Sequence, residues 1–284
     1  MRNGDQHLEL DTLLGEGEVS ALIRSFDWSA TPLGSPAAWP HSLQSIVRML
    51  LTTRYQMWMA WGPELTFLCN DAYRPTLGVK FPWAIGQSAR DVWSEIWPDI
   101  GPLIDHVLRT GEATYSEGML LLLERSGFPE ETYHTFSYSP LFSDDGSIKG
   151  MLCVVVEETE RVINERRLGT LRELAATAAA AKGEEDLFRA VTSTLSTSSR
   201  DLPFSLIYVV DEAGEPARIA TSSGIEMDHA AVAEFARAEL SRGNTSDAAS
   251  VPKLITLGPR YGTLPAGVWK VAPRQALILS LIHI

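Results

Sequence analysis

The segment Ile148 to Val156 (IKGMLCVVV) constrains the fold of this chain more than any other. It is almost continuously apolar and follows a turn signal, Asp144-Asp145-Gly146, so it reads as a strand covered on both faces. Beyond it no proline interrupts the chain through Lys182. A buried strand must therefore lead directly into a long helix.

The preceding residues supply partners for that strand. Met57 to Trp61 and Leu65 to Asn70 read as two short strands joined by a tight turn at Gly62-Pro63-Glu64. Thr114 to Glu124 is a further strand, Arg125 to Pro129 a turn, and Thr132 to Pro140 (TYHTFSYSP) alternates in the manner of a half-buried strand. Helical spacing is carried by Val19, Leu22, Ile23 and Phe26, and again by Leu43, Ile46, Val47 and Leu50. The intervening SATPLGSPAAWP holds three prolines and is expected to be irregular. Asn70 and Asp71 are placed to cap a helix opening at Ala72-Tyr73. A second helix follows Pro98 through Ile100, Leu103, Ile104, Val107 and Leu108, and closes at Gly111. The pattern predicts an α+β domain: an antiparallel sheet with its helices on one side.

From Glu157 to Lys182 the expected helix places Leu168, Leu171, Ala175 and Ala178 at alternating spacings of three and four, a short seam of the kind that pairs helices in parallel dimers. Glu184 to Leu195 is a further helix, Phe204 to Val210 and Arg218 to Ser222 are strands, Met227 to Leu240 is helical, and the remainder is loop-rich.

Composition narrows the function. The formal net charge is −12, from 36 acidic and 24 basic side chains, which disfavours nucleic-acid partners. The two cysteines, Cys69 and Cys153, lie in apolar runs, which suits buried thiols rather than a disulfide framework or a metal site. There is no stretch of about 20 continuous apolar residues, so no membrane insertion is expected, and the reading is cytoplasmic.

The hairpin WMAWGPELTFLCN, the NDAY that opens the first helix and the strand end Glu157-Glu158-Thr159 together resemble a PAS domain. Glu157 and Glu158 replace the first two residues of that family's terminal Asp-Ile-Thr signal, and Thr159 is kept. The wider wording across residues 27–161 resembles a PAS group found at the front of multidomain bacterial sensor kinases. From about Leu171 the chain resembles, more loosely, the start of a GAF domain. The implied organisation is an N-terminal helical and extended cap over 1–52, a PAS domain over 53–161, a signalling helix over 157–182 and a partial GAF-like α/β sheet domain over 183–278. The last residues, 279–284 (LSLIHI), resemble a translated sequencing adaptor and are set aside from the fold.

Catalytic chemistry is not legible. None of the six histidines is followed by Glu or Asp, as a phosphoacceptor would be, and no glycine-rich phosphate loop occurs. The resemblance therefore implies a non-catalytic sensory module of a two-component histidine kinase, homodimeric through the signalling helix. It would act on downstream kinase domains and a response regulator carried or met by the parent protein. The alternatives are a sensor for another output, such as a PP2C-type phosphatase or diguanylate cyclase, or a haem- or flavin-bearing redox or gas sensor. Asn70, Tyr73, Trp93, Phe136 and Tyr138 are the candidates for a ligand cleft between sheet and helices. His106, on the long helix, is the candidate haem ligand. No metal site and no covalently bound cofactor are expected, and the identity of any other cofactor stays open.

Overall fold

The computed structural model describes residues 17–209, 217–237 and 252–279. The chain divides into two compact units, Met1–Val162 and Ile163–Ile284. The adaptor-like residues 280–284 lie outside the described residues.

The first unit is built on a five-stranded antiparallel sheet of β1 (Gln56–Trp61), β2 (Thr66–Cys69), β3 (Thr114–Leu123), β4 (Glu130–Phe142) and β5 (Ile148–Glu157), in the order β2-β1-β5-β4-β3. The apolar run is the central strand, paired with β1 on one side and β4 on the other. Gly62, with φ at 81°, supplies the left-handed residue that the β1–β2 turn requires.

Side chains alternate across a strand, so each row of the register shares a face. One row runs Thr114, Tyr138, Cys153, Trp58 and Cys69 across all five strands. This face is covered by the segment between β2 and β3. That segment holds short helices α3 (Arg74–Leu77) and α4 (Ala89–Val92), then α5 (Trp97–Thr110), which buries Ile100, Ile104 and Val107 and ends on left-handed Gly111.

Met59, Trp61, Leu68 and Leu152 fall in the alternate rows and point the other way, yet they are also buried. The expectation of helices on one side is therefore incomplete. Helices α1 (Glu18–Ser25) and α2 (His41–Thr52) bury Val19, Ile23, Leu43, Val47 and Leu50 in the same apolar cluster, and they add cover to the second face. Between them the proline-rich segment forms two single 3-10 turns, Trp28–Ala30 and Pro36–Ala38, rather than wholly irregular chain.

Neither N-terminal helix is capped by its own sequence: Gly17 and Pro40 occupy the cap positions and make no side-chain cap. The caps come from the sheet domain. Asp71 accepts from the Val19 N–H at 3.1 Å, and Asp144, in the β4–β5 turn, accepts from His41 and Ser42 N–H at 3.1 and 2.8 Å. A carboxylate at a helix N-terminus satisfies free N–H groups and complements the helix dipole, so these contacts fasten both helices to the sheet domain. Asp71 thus caps α1 rather than the helix beside it, whose cap is Asn70 alone.

At the C-terminal end of β5 the chain turns into α6 (Thr159–Ala180), the long helix expected after the buried strand. The second unit adds α7 (Glu184–Thr197), the ribbon β6 (Ser205–Val209) with β7 (Arg218–Ser223), α8 (Ala230–Phe235), and the ribbon β8 (Lys253–Thr256) with β9 (Gln275–Ile278). Among the described residues these are two separate two-stranded ribbons, not one sheet, around a small core that includes Phe235, Ile255 and Tyr261. The expected helix from Met227 begins only at Ala230, and part of its C-terminal half lies outside the described residues. The region read as loop-rich holds the β8–β9 ribbon, whose strands of four residues are too short to show a period.

Candidate functional site

Between the inner face of the sheet and the helices lies a cavity of about 20 Å³, room for about one water molecule. Tyr73, Trp93, Phe136 and Tyr138 line it, with Trp58, His134, Ile96, Ile100 and Cys153. Four of the five expected cleft residues thus meet at one place. The aromatics pack edge to face and tilted: Trp58 and Tyr138 have ring centroids 5.8 Å apart, Tyr73 and Trp93 6.1 Å, and Phe136 and Tyr138 4.8 Å.

Asn70 is not part of the lining. It is fully buried and fastens the start of β1 to the end of β2. Its side-chain oxygen accepts from the Met57 and Tyr73 N–H groups at 3.2 Å each, and its amide donates to the carbonyls of Thr53 at 3.2 Å and Tyr55 at 2.7 Å. His106 is also outside the cavity. Its ring is 39% exposed and lies 3.6 Å from the Glu112 carboxylate, so it does not fit the part of a haem ligand facing that cavity.

His134 went unrecognised as a site residue, although it shares the alternation of TYHTFSYSP with Phe136 and Tyr138. It is 2% exposed, and neither ring nitrogen has a hydrogen-bond partner. Burial, helped by the positive charge of Arg125, depresses its pKa to about 4 against the opposing pull of Glu157, so the ring is neutral at physiological pH. Burial likewise raises the Cys153 thiol and the Tyr73 and Tyr138 phenols well above their ordinary values. The cavity is therefore lined by uncharged groups. Behind Trp93, a buried Lys80 ammonium stacks 4.3 Å from the ring centroid, donates to the Val92 carbonyl at 2.6 Å and pairs with Glu95.

His134 lies opposite Glu157 in the β4–β5 register. Glu157 stands where the sheet passes into α6. Arg125 donates to its carboxylate at 2.9 Å and to Glu130 at 3.1 Å, and the Thr159 hydroxyl donates to it at 2.9 Å. Burial works against the charge on Glu157, but these bonds outweigh it and hold its pKa below the ordinary carboxylate value. Thr159 also accepts from the Tyr133 N–H at 3.0 Å, the Tyr133 carbonyl accepts from Glu158 N–H at 2.8 Å, and Thr135 donates to the Glu158 carboxylate at 2.7 Å. The first residues of the helix are pinned to β4, the strand that carries His134, Phe136 and Tyr138.

Along α6, Leu168 is 46% and Leu171 62% exposed, and Ala175 and Ala178 are exposed with them. A different face is committed within the second unit. Arg166 makes a two-pronged ion pair with Asp201 at 2.7 and 3.0 Å, and Thr170 lies 3.0 Å from the Ser198 hydroxyl. At 3.6 residues per turn the two faces are about a third of a turn apart. No helix among the described residues is long and apolar enough to cross a membrane.

No curated protein matches the chain. Among solved structures it is similar to a sensory box sensor histidine kinase from Vibrio cholerae, at 16% identity over 40% of this chain and 89% of that one, with a TM-score of 0.29. It is similar to the PAS domain of Bordetella pertussis BvgS, at 21% identity over 46% and 97% of the two chains, with a TM-score of 0.31. It is also similar to a Rhodobacter sphaeroides LOV protein, at 12% identity over 56% and 93%, with a TM-score of 0.36. The family model described as PAS fold matches residues 53–163. The five-stranded sheet and the helices on its inner face are a PAS domain.

Proposed function

We propose that this chain is the sensory input part of a two-component signalling protein and is not itself catalytic. A molecule entering the cavity shifts the packing of β4 and β5 against the helices, and the shift passes through Glu157, Glu158 and Thr159 into α6. The Leu168, Leu171, Ala175 and Ala178 seam pairs with a second copy and carries the change to the GAF-like region, and from there to a kinase core in the parent protein. The observation that carries this reading is the placement of His134: it lines the cavity and sits opposite Glu157, the residue that ties strand to helix. The histidine kinase output rests on the resemblance of residues 27–161 to sensor-kinase PAS domains, and a phosphatase or cyclase output is the alternative.

Hydrogen exchange at the Tyr133 and Glu158 amides tests the coupling. Trp93→Leu, which changes the cavity wall without touching the junction, should change exchange at both amides beyond the change in global stability. Exchange that follows global stability alone would refute a coupling between cavity and helix.

A further inference from the structure

The seam on α6 has a direction that its spacing does not set, because a repeat of three and four residues reads alike in either sense along a helix. The charged residues beside it do set one. Carried one step back from Leu168, the spacing reaches Asn164, so Glu165 and Arg172 each directly follow a seam residue. They lie about two helical turns apart on the same edge. On the other edge Arg167 directly precedes Leu168, and Glu160 stands about two turns before Arg167. All four side chains are exposed. Arg167 reaches Asp201 at 3.2 Å, whereas Arg172 has no ion-pair partner among the described residues.

In a parallel pair of helices, the residue before a seam position meets the residue five places further on in the second copy. Arg167 would then face Arg172, and Glu160 would face Glu165, so the flanking contacts bring like charges together. Asn164, facing its own copy, is the one contact that favours that direction. In an antiparallel pair Leu168 packs on Leu171 of the second copy, and each edge meets its own counterpart. Glu165 then faces Arg172 and Arg172 faces Glu165, two identical pairs related by a two-fold axis. Resting on the sensory reading above, we infer that α6 docks on α6 of a second copy in the antiparallel sense, rather than in the parallel sense that such spacing suggests. Leu168 and Leu171, 46% and 62% exposed, supply the apolar contact, and the Glu165 and Arg172 pairs fix its direction. The face that carries Arg166 and Thr170 keeps its bonds to Asp201 and Ser198.

Sedimentation of the intact chain at low salt tests the direction through the sign of one effect. Arg172→Glu should weaken the dimer by about 10-fold, because both pairs become like-charged, and adding Glu165→Arg should restore it. In a parallel pair the same Arg172→Glu would make the Arg167 contacts attractive. An unchanged or tighter dimer would therefore overturn the antiparallel direction while leaving the second copy in place. Thiol cross-linking gives a check that does not depend on charge, since the native Cys69 and Cys153 are buried. Ala175→Cys chains alone should form no disulfide, because the two copies of residue 175 lie about 17 Å apart along the antiparallel pair. Mixed with Asn164→Cys chains, they should cross-link. Cross-linking of Ala175→Cys to itself would overturn the direction, and a chain monomeric at every concentration would overturn both the direction and the dimeric relay.

Discussion

His134 is buried as a neutral ring, and this makes acid a selective denaturant of the PAS domain. In the unfolded chain its imidazole returns to its ordinary pKa of 6.5, whereas in the folded chain it takes up a proton only near 4. Above 6.5 both states are neutral at this site and it contributes nothing to the pH dependence. Below 6.5 the unfolded state binds a proton that the folded state refuses, so stability falls as the pH drops, until protonation of the folded ring near 4 ends the loss. At 1.36 kcal/mol per pH unit the gap amounts to about 3 kcal/mol, a large share of the roughly 5–15 kcal/mol that holds an ordinary domain together. Glu157 loses stability in the same direction but in a lower window, as the pH falls below its ordinary value of 4.5 toward its depressed folded value. Urea unfolding followed by tryptophan fluorescence, for the native chain and for His134→Phe at several pH values from about 7 to 4.5, isolates the histidine. The native chain should lose about 2 kcal/mol more than the variant across this range, the remainder falling below pH 4.5. Parallel losses in the two proteins would refute the argument, because they would mean that the ring finds a partner or solvent and is not held neutral by burial.

Three other perturbations follow from geometry. Asn70→Ala removes four hydrogen bonds that span two strands and a helix start, and should cost about 3 kcal/mol in urea unfolding through backbone groups left unpaired. Lys80→Met strands the Glu95 carboxylate, whose side chain is 12% exposed, and should destabilise by about 3–5 kcal/mol, with much of the loss recovered when Glu95→Leu is added. Leu168→Glu with Leu171→Glu should leave the fold intact, since both side chains are exposed, and light scattering should report a shift from dimer to monomer; an unchanged mass would remove the seam from the proposed relay.

Much of the PAS domain was legible because its signals are local. The central strand announced itself by continuous apolarity, and the period of TYHTFSYSP set Phe136 and Tyr138 on one face. His134 lies on that same face, but a histidine at such a position reads the same whether its nitrogens are bonded or not. What distinguishes it is the absence of partners, and only three dimensions reveal that. Asn70 was readable as a cap from its neighbours, while its second duty depends on carbonyls 15 and 17 residues away. The N-terminal helices showed their apolar stripes but not which face of the sheet they cover, because their caps, Asp71 and Asp144, lie 52 and 102–103 residues distant. On α6 the seam is periodic and visible, whereas the other committed face rests on single polar pairs, Arg166 with Asp201 and Thr170 with Ser198, which have no period to detect.

The pinning of α6 at its first residues also has a mechanical consequence. The helix has 22 residues, so it is about 33 Å long. Neighbouring strands lie about 4.8 Å apart, so a slide of about 0.4 Å between β4 and β5 corresponds to a rotation of about 5° at the pinned end. Over the full length of the helix, such a rotation carries the far end through about 3 Å. In the relay proposed above, the junction would be the fulcrum of a lever with a gain of about seven, fixed by helix length divided by strand spacing. Its sensitivity is thus set by how many residues separate Thr159 from Ala180, independently of how tightly anything binds.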